Sequence, residues 1–475
     1  MNSEVTHSKK TFVLGAGITG LVLAWKLAKN GYEVIIIESS SSPGGLAKTI
    51  EWDGFRFDNG AHNFFTYDSE VLTFYQELLG DKFRQKARNF KLYIFNKLLK
   101  FPFLGTEIIT SLGSIKMINI SISFLSARLK AFFVGELETP HLDEWIISRY
   151  GKALYRIYFR DYLFRVQKCD PHLLSSTIGM KKIPKMSVRK TLGEIFRKLF
   201  LSSPVSKNTS KSYYCKHGYG EMPMYFYREL IKMPNVTYRS EESVQNLTIN
   251  EEKITSLKTD KHLYNTENAD IISTIPLECL CKFTNPEFEH LTALSQKLQY
   301  VGMRFFHVKI NKPSVTGCWF VNFNDKRMPF YRVGEYVFDE FDMLPEGYSS
   351  LTFEIPVNEG DEYFKMPDSE LMPLLIERFN IVFSLSIDDV VGYKSVFSKH
   401  ANPRLTLDYQ DILKEIFNFI LSIQNLYSLG RQGLFTYANL DHCTRMAFDF
   451  SKHYLEGSPK EGNKSLLNKY FHSGF

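Results

Sequence analysis

Residues 11–49 constrain this chain more than any other stretch. The apolar run Phe12–Leu14 predicts a buried parallel strand. It opens into Gly15-Ala16-Gly17-Ile18-Thr19-Gly20, and a helical pattern follows from Leu21 to Lys29. Gly31 closes that helix, and Glu33–Ile37 reads as a second buried strand ending on Glu38. Each position has a physical task in a dinucleotide-binding unit. Gly15 permits the tight turn, Gly17 lets the backbone approach a pyrophosphate, and Gly20 lets the helix pack closely on the strand. The helix start at Ile18 and Thr19 offers free N–H groups and the positive end of a dipole to phosphate. Glu38 stands about 20 residues on, where a carboxylate accepts from a ribose. The bland alternative is a glycine-rich turn in an ordinary α/β unit, and the register of strand, helix, strand and acid argues against it.

With 475 residues there is room for two or three domains. Lys plus Arg is 58 against 52 Asp plus Glu, a net +6, too mild to point to nucleic acid. Six cysteines in so long a chain, with Cys279 and Cys281 spaced C-x-C and no second pair, predict neither a disulfide framework nor a metal site. A reducing, cytoplasmic setting fits. The first ten residues are polar and carry no secretory pattern. No run reaches about 18 uninterrupted apolar residues, so no transmembrane helix is expected.

Beyond Glu38 a loop runs to Pro43, then Gly44-Gly45-Leu46. Ile50–Asp58 predicts a hairpin turning at Asp53-Gly54, and leads into Asn59-Gly60-Ala61-His62-Asn63-Phe64-Phe65. Taken together, the Gly15–Gly20 motif, the Glu38–Thr49 stretch and the Phe57–Phe65 stretch resemble the flavin amine oxidase superfamily, which includes protoporphyrinogen oxidases, carotenoid desaturases and UDP-galactopyranose mutases. The resemblance implies FAD as cofactor. It places Gly44, Gly45 and Leu46 at the flavin diphosphate, Glu38 on the adenosine ribose, and His62 beside the isoalloxazine ring.

Residues 91–103 read as two strands about a turn at Asn96-Lys97, and residues 107–130 as a helix by the spacing of Ile108, Leu112, Ile115, Ile118, Ile122 and Leu125. That helix is expected to pack on its own domain, with peripheral contact to a membrane as the alternative. Further helices are expected over Leu142–Tyr150 and Gly151–Phe159. Mutases of the superfamily typically carry a tyrosine, a lysine and a tryptophan-glycine pair after this point. Here Tyr162, Arg165 and Lys168-Cys169 stand there, which weakens a mutase assignment. The aromatic strand at Tyr213 and a helix over Met222–Ile231 return to the cofactor side. The resemblance puts the backbone of Val244 against the adenine. Thr274-Ile275-Pro276-Leu277 matches the pattern of the oxidases and desaturases.

Residues 291–400 are aromatic-rich and alternate, predicting strands over Tyr300–Ile310, Cys318–Phe323, Phe330–Val333 and Ser349–Ile355. Arg332 follows a Pro329-Phe330-Tyr331 stretch similar to one in the superfamily, and its fork of donors suits an anionic substrate group as well as a surface salt bridge. At the far end, Gly430-Arg431 and the run to Asn439-Leu440-Asp441 resemble the C-terminal flavin motif. A helix is expected from His442 to Tyr454, capped by Asp441, with its N-terminus at the flavin pyrimidine edge.

The expected fold is α/β, a Rossmann-type FAD-binding domain with an inserted α+β substrate domain. Residues 1–88, 214–290 and 396–475 form the first, while 89–213 (mainly helical) and 291–395 (β-rich) form the second. The resemblance implies an FAD-dependent oxidoreductase taking a hydride from a C–H or C–N bond of a small molecule. The alternatives are a mutase-like, non-redox enzyme acting on a nucleotide sugar in surface polysaccharide synthesis, and a flavoprotein that binds without turnover. His62 and Arg332 are the candidate catalytic residues.

Overall fold

Every residue of Thr11–Leu14 is buried, so the strand β1 (Lys10–Leu14) must lie inside a sheet covered on both faces. The computed structural model describes residues 9–86, 89–100, 113–183, 211–284, 288–336 and 341–472. After β1 the chain forms helix α1 (Ile18–Lys29) and strand β2 (Val34–Ile37). Far along the chain, β3 (Val236–Arg239), β4 (Ala269–Ser273) and β5 (Leu426–Ser428) join the same sheet. Its order is β5-β4-β1-β2-β3 and every pairing is parallel. Leu14 at the end of β1 is level with Ile37 on one side and Ser273 on the other. The chain leaves β1 toward β2 but later returns to the opposite side through β4. The crevice at the carboxyl end of β1 is therefore the switch point where such sheets bind ligands.

A second sheet has seven strands. In order they are Val390–Arg404, Gln299–Ile310, Ser349–Val357, Arg332–Glu335, Phe320–Phe323, Phe90–Ile94 and Lys97–Lys100. All pairs are antiparallel except Phe320–Phe323 with Phe90–Ile94. Period-two alternation sorts the side chains. Phe306, Val308, Phe353 and Val333 pack on one face with Leu371, Leu375 and Phe379 of the helix Asp368–Phe379. Met303, Phe305, Arg332 and Glu354 take the other face, toward the carboxyl end of β1.

Three helices matter below. They are α2 (Ser114–Val134), α3 (Leu142–Tyr150) and α4 (Leu440–Leu455). The chain is thus an α/β protein, a Rossmann-type sheet with a second α+β lobe, as the sequence predicts.

Several expectations need correction. Turn residues Phe95 and Asn96 both have positive φ (54° and 59°), so the hairpin turns one residue earlier than Asn96-Lys97. The expected boundary at 395/396 falls inside Val390–Arg404, which belongs whole to the seven-stranded sheet. That at 213/214 cuts the strand Ser212–Cys215, which pairs with Phe83–Lys86. Helix α4 begins at Leu440 rather than His442, with Asn439 as N-cap and the Asn439 N–H donating to His442 Nδ1 (3.2 Å). Asp441 lies within the first turn and is not the cap. Helix α2 does not bury its apolar stripe in its own domain, since Ile115, Ile118 and Ile122 are 59–85% exposed. The start of that expected helix, residues 107–112, lies outside the described residues, as does Pro102-Phe103.

Candidate cofactor and active site

The turn after β1 is built for an anion. Gly15 has φ +98°, and a Cβ on Gly20 would collide with the Gly15 carbonyl oxygen, so α1 sits against the turn as only glycine allows. Gly17 is the N-cap of α1, and a Cβ there would meet no atom within 4 Å, because the position faces open cleft. The first intrahelical bond is Leu21 N–H to Gly17 O (3.0 Å). The N–H groups of Ile18, Thr19 and Gly20 thus have no partner in the helix. Gly44 packs on this corner as its N–H donates to Ala16 O (2.8 Å), and a Cβ on Gly45 would stand 3.4 Å from the Gly17 Cα. Gly430 closes the far side, where a Cβ would come within 2.9 Å of Thr19 Oγ1.

Glu38 ties this corner together. Its Oε2 accepts from the Ala16 N–H (2.8 Å), and its Oε1 accepts from the N–H and hydroxyl of Ser40 (2.8 and 2.6 Å). The carboxylate lines the cleft with this much of its capacity already used. Val244 is different. It is buried, pairs with Thr259, and does not line the cleft. Gly20 and Gly430 also stand behind the wall, whereas Gly15, Gly17, Ile18, Thr19, Glu38, Gly44, Gly45, Leu46, Arg431, Asn439 and Leu440 all reach the cleft, whose volume is about 910 Å³.

Arg431 crosses between the lobes. Its Nη1 donates to Ala438 O (2.7 Å), and its Nη2 donates to Ala401 O and Asn402 Oδ1 (2.8 and 2.9 Å). The buried Arg431 Nε is left without a partner among the described residues, as are Asn59 Oδ1 and Gln432 Oε1 nearby. The N-terminus of α4 opens on the same cleft at Asn439 and Leu440. Bare glycine backbone, a free helix start, unsatisfied buried polar atoms and a second helix N-terminus together fit a dinucleotide whose far end gains negative charge on reduction.

His62 sits on the loop after the Thr49–Trp52/Phe55–Asp58 hairpin. Its carbonyl accepts from Trp319 Nε1 (3.1 Å), and its ring stacks on Tyr219 at 4.5 Å. Nδ1 faces Asp58 Oδ2 at 3.9 Å. Burial pushes the imidazole down to about 4, opposed by Glu354, so the ring is neutral at physiological pH. Sequence reasoning missed Asp58. It is fully buried, accepts from Thr49 Oγ1 and Tyr214 OH (both 2.5 Å) and from the Tyr219 N–H (3.1 Å), and burial raises its pKa to about 6. Lys86 is buried near it over the Trp319 ring, and burial holds its pKa well below the usual lysine range.

Arg332 lines the cleft, yet its guanidinium is already committed. Nε donates to Glu354 Oε1 (2.5 Å) and Nη2 to Glu354 Oε2 (2.7 Å), a bidentate pair. Glu354, 2% exposed, also accepts from the Tyr331 hydroxyl (2.7 Å) and from the Ala61 N–H (2.8 Å). Neither expected role of Arg332, an anion ligand or a surface salt bridge, describes this closed pair. Glu354 is the second buried carboxylate that sequence reasoning missed, and it lines the cleft. Arg165 is likewise spoken for, with its Nη1 donating to Asp325 O and to Met328 O (3.1 Å). Glu278, Cys279 and His400 place three ligand-type atoms within 4.8 Å of one another, but His400 Nε2 and Glu278 Oε1 pair with each other at 2.9 Å. All six cysteines are unpaired.

The chain shares its fold with the solved structures named below, and its glycine corner fits a dinucleotide of the FAD type. The NAD(P)-binding Rossmann-like domain family matches residues 13–78. In sequence, the chain is 32% identical over 92 residues to a 4,4'-diapophytoene desaturase (4,4'-diaponeurosporene-forming) of Staphylococcus aureus, a match covering 19% of this chain and 16% of the desaturase. In structure, it is similar to a reduced UDP-galactopyranose mutase (TM-score 0.79, 17% identity, 98% of both chains). It is also similar to an Exiguobacterium sp. 255-15 protein provisionally named protoporphyrinogen oxidase (TM-score 0.70, 16% identity, 94% of this chain and 99% of that one).

Proposed function

We propose that the chain is an FAD-dependent oxidoreductase that oxidises a C–H or C–N bond of a small, largely apolar molecule. The observation that carries this reading is the wall facing the glycine corner. Met303, Phe305, Phe320, Val396 and Phe397 line it, and its one arginine, Arg332, is neutralised by Glu354. Among the described lining residues, Lys48 and Arg431 are the lysine and arginine without an ion pair; Lys48 lies beside Gly45 and Glu38, and Arg431 follows β5 next to Gly430, both at the glycine corner. A substrate carrying its own diphosphate would find no unpaired cation on the sheet wall.

FAD bound in this cleft would supply the hydride acceptor. The chain's residues do the rest. The α1 N-terminus and the Gly44-Gly45 turn would hold the diphosphate, Glu38 and the Ser40 loop would fix the ribose end, and the start of α4 would favour negative charge at the ring. The neutral His62, steadied by the Tyr219 ring and the Trp319 N–H, orients the reacting bond or moves a proton at an imidazole nitrogen. The apolar wall excludes water from that bond.

A second reading, a mutase acting on a nucleotide sugar, draws support from the full-length likeness to the mutase fold. Anaerobic flavin absorbance separates the two. Bleaching by an amine or by a saturated apolar substrate is expected. Turnover of UDP-galactopyranose only after dithionite reduction would replace the first reading with the second, and neither response would leave a binding flavoprotein.

A further inference from the structure

Helix α2 leaves one long side uncovered. Ile115, Ile118, Ile122, Leu125, Leu129 and Phe132 recur every three or four residues, and each is 45–85% exposed. Phe133, Val134 and Leu137 extend the stripe, at 51–78% exposure. The opposite side is occupied. Met117, Ile120 and Phe124 are half-buried there, and the Ala153 N–H donates to Ser123 Oγ (3.1 Å). An apolar strip of this length on a folded domain marks a contact surface.

Charge indicates what covers it. The 21 residues of α2 contain no acid, and their charged side chains are Lys116, Arg128 and Lys130. Arg128 is turned to Glu136 at 3.3 Å. Lys116 and Lys130 are exposed, carry no ion pair among the described residues, and each follows a stripe residue, so both lie along one edge of the stripe. By length and composition Ile115–Val134 could cross a membrane. Its packing forbids that, because α3 lies along it with Asp143 and Glu144 in its first turn, and crossing would carry those carboxylates into hydrocarbon. A second copy fits poorly too. Antiparallel seams place Ile115 against Phe132, which sets Lys116 of one copy beside Lys130 of the other. An acid-free helix with an apolar face and a lysine edge suits the plane of an anionic lipid surface.

We propose that α2 docks this protein on the surface of an anionic lipid bilayer, its stripe in the headgroup boundary and Lys116 and Lys130 at the phosphates. The inference stands on α2 alone and is independent of the reaction proposed above.

The test is sedimentation of the FAD-loaded full chain with vesicles of phosphatidylcholine, with and without phosphatidylglycerol. Binding is expected on the phosphatidylglycerol vesicles, weakened by salt. Lys116→Glu with Lys130→Glu should lower it roughly tenfold or more, since each basic residue near such a surface contributes roughly fivefold. Phe132→Ser with Phe133→Ser should lower binding to a similar degree by removing apolar area, roughly tenfold. Retained flavin absorbance and an unchanged melting temperature verify that both variants fold, as expected for exposed positions. A parent that stays in the supernatant with both vesicle types overturns the proposal, as does a phenylalanine variant that sediments like the parent. A dimer that Ile122→Glu splits, in a chain that ignores vesicles, assigns the stripe to a second copy instead.

Discussion

The two walls of the cleft treat charge in opposite ways. On the Rossmann side the backbone is bare, a helix start has free N–H groups, and Arg431 Nε is buried without a partner among the described residues. On the sheet side Arg332 is matched within the fold by Glu354, and the surface around the pair is mainly apolar, with Met303, Phe305, Phe320 and Phe397. One wall is unfinished until a charged ligand arrives. The other is complete and offers shape and dryness. The difference teaches where binding energy comes from on each side. On the proposed function, the cofactor would be held by polar complementarity and the substrate by apolar contact and exclusion of water.

The largest expected effect breaks the unfinished wall. Gly17→Val puts a branched side chain into the open cleft proposed for the pyrophosphate, and the purified protein should come out colourless, with no FAD released on denaturation. A yellow Gly17→Val protein would mean that the diphosphate sits elsewhere.

His62→Ala tests the boundary between the walls. FAD should stay bound while turnover of a responding substrate falls by about 10² to 10⁴, the range for a positioned acid–base group. Parent-like turnover would reduce His62 to a loop residue.

Glu354→Gln breaks the finished wall. It leaves Arg332 buried beside a neutral partner, and should destabilise the fold by about 3–5 kcal/mol, read as a lowered denaturation midpoint. Arg332→Met with Glu354→Met should recover most of that loss, since a pair that serves only to cancel charge is replaceable by apolar volume. Failure of the double variant to recover would give the pair a role in ligand binding.

Glu38→Ala should weaken FAD retention by roughly tenfold, with the fold intact, because the variant loses the ribose acceptor and also frees the Ser40 loop. Equal affinity would show that the ribose is held by other groups.

The smallest effect is one of pH. His62, ordinarily near 6.5, is held at about 4, so between those values the unfolded chain binds more protons than the folded one. Its contribution to stability is therefore present at neutral pH and lost as pH falls through that window. Asp58 runs the other way, from 3.8 up to about 6, and its contribution is lost as pH rises through that range. Thermal melts at neutral pH and at about pH 5 should show a smaller acid loss in His62→Ala than in the parent. Equal losses would mean that the ring is solvated in the folded chain.

What the sequence made legible is what it writes locally. The Gly15–Gly20 turn, Glu38 and the Asp53-Gly54 hairpin lie within short spans whose spacing carries its own geometry. Glu354 could not be read in that way, because it is a lone carboxylate in a buried strand and its partner Ala61 is 293 residues away. Asp58 looked like the end of a hairpin, and only the fold brings Tyr214 and Tyr219 to it. Val390–Arg404 escaped notice because it is an edge strand that is mostly half-buried with no period-two alternation, and has Gly392 and Pro403 within it. The periodicity of α2 announced an apolar stripe truthfully but not which way it faces, since Met117, Ile120 and Phe124 supply a second stripe for the inner side.

The hydrogen bond from the Ala61 N–H to Glu354 has a consequence for modularity. The loop that presents His62 grows out of the Rossmann lobe, yet its position is fixed by a carboxylate of the seven-stranded sheet. The face that carries His62 is consequently the property of neither lobe. A chimaera that exchanged the sheet lobe for a relative's would inherit a sound cofactor corner and a slack His62 loop, unless residues 59–63 and the Arg332–Glu354 pair travelled together as one cassette.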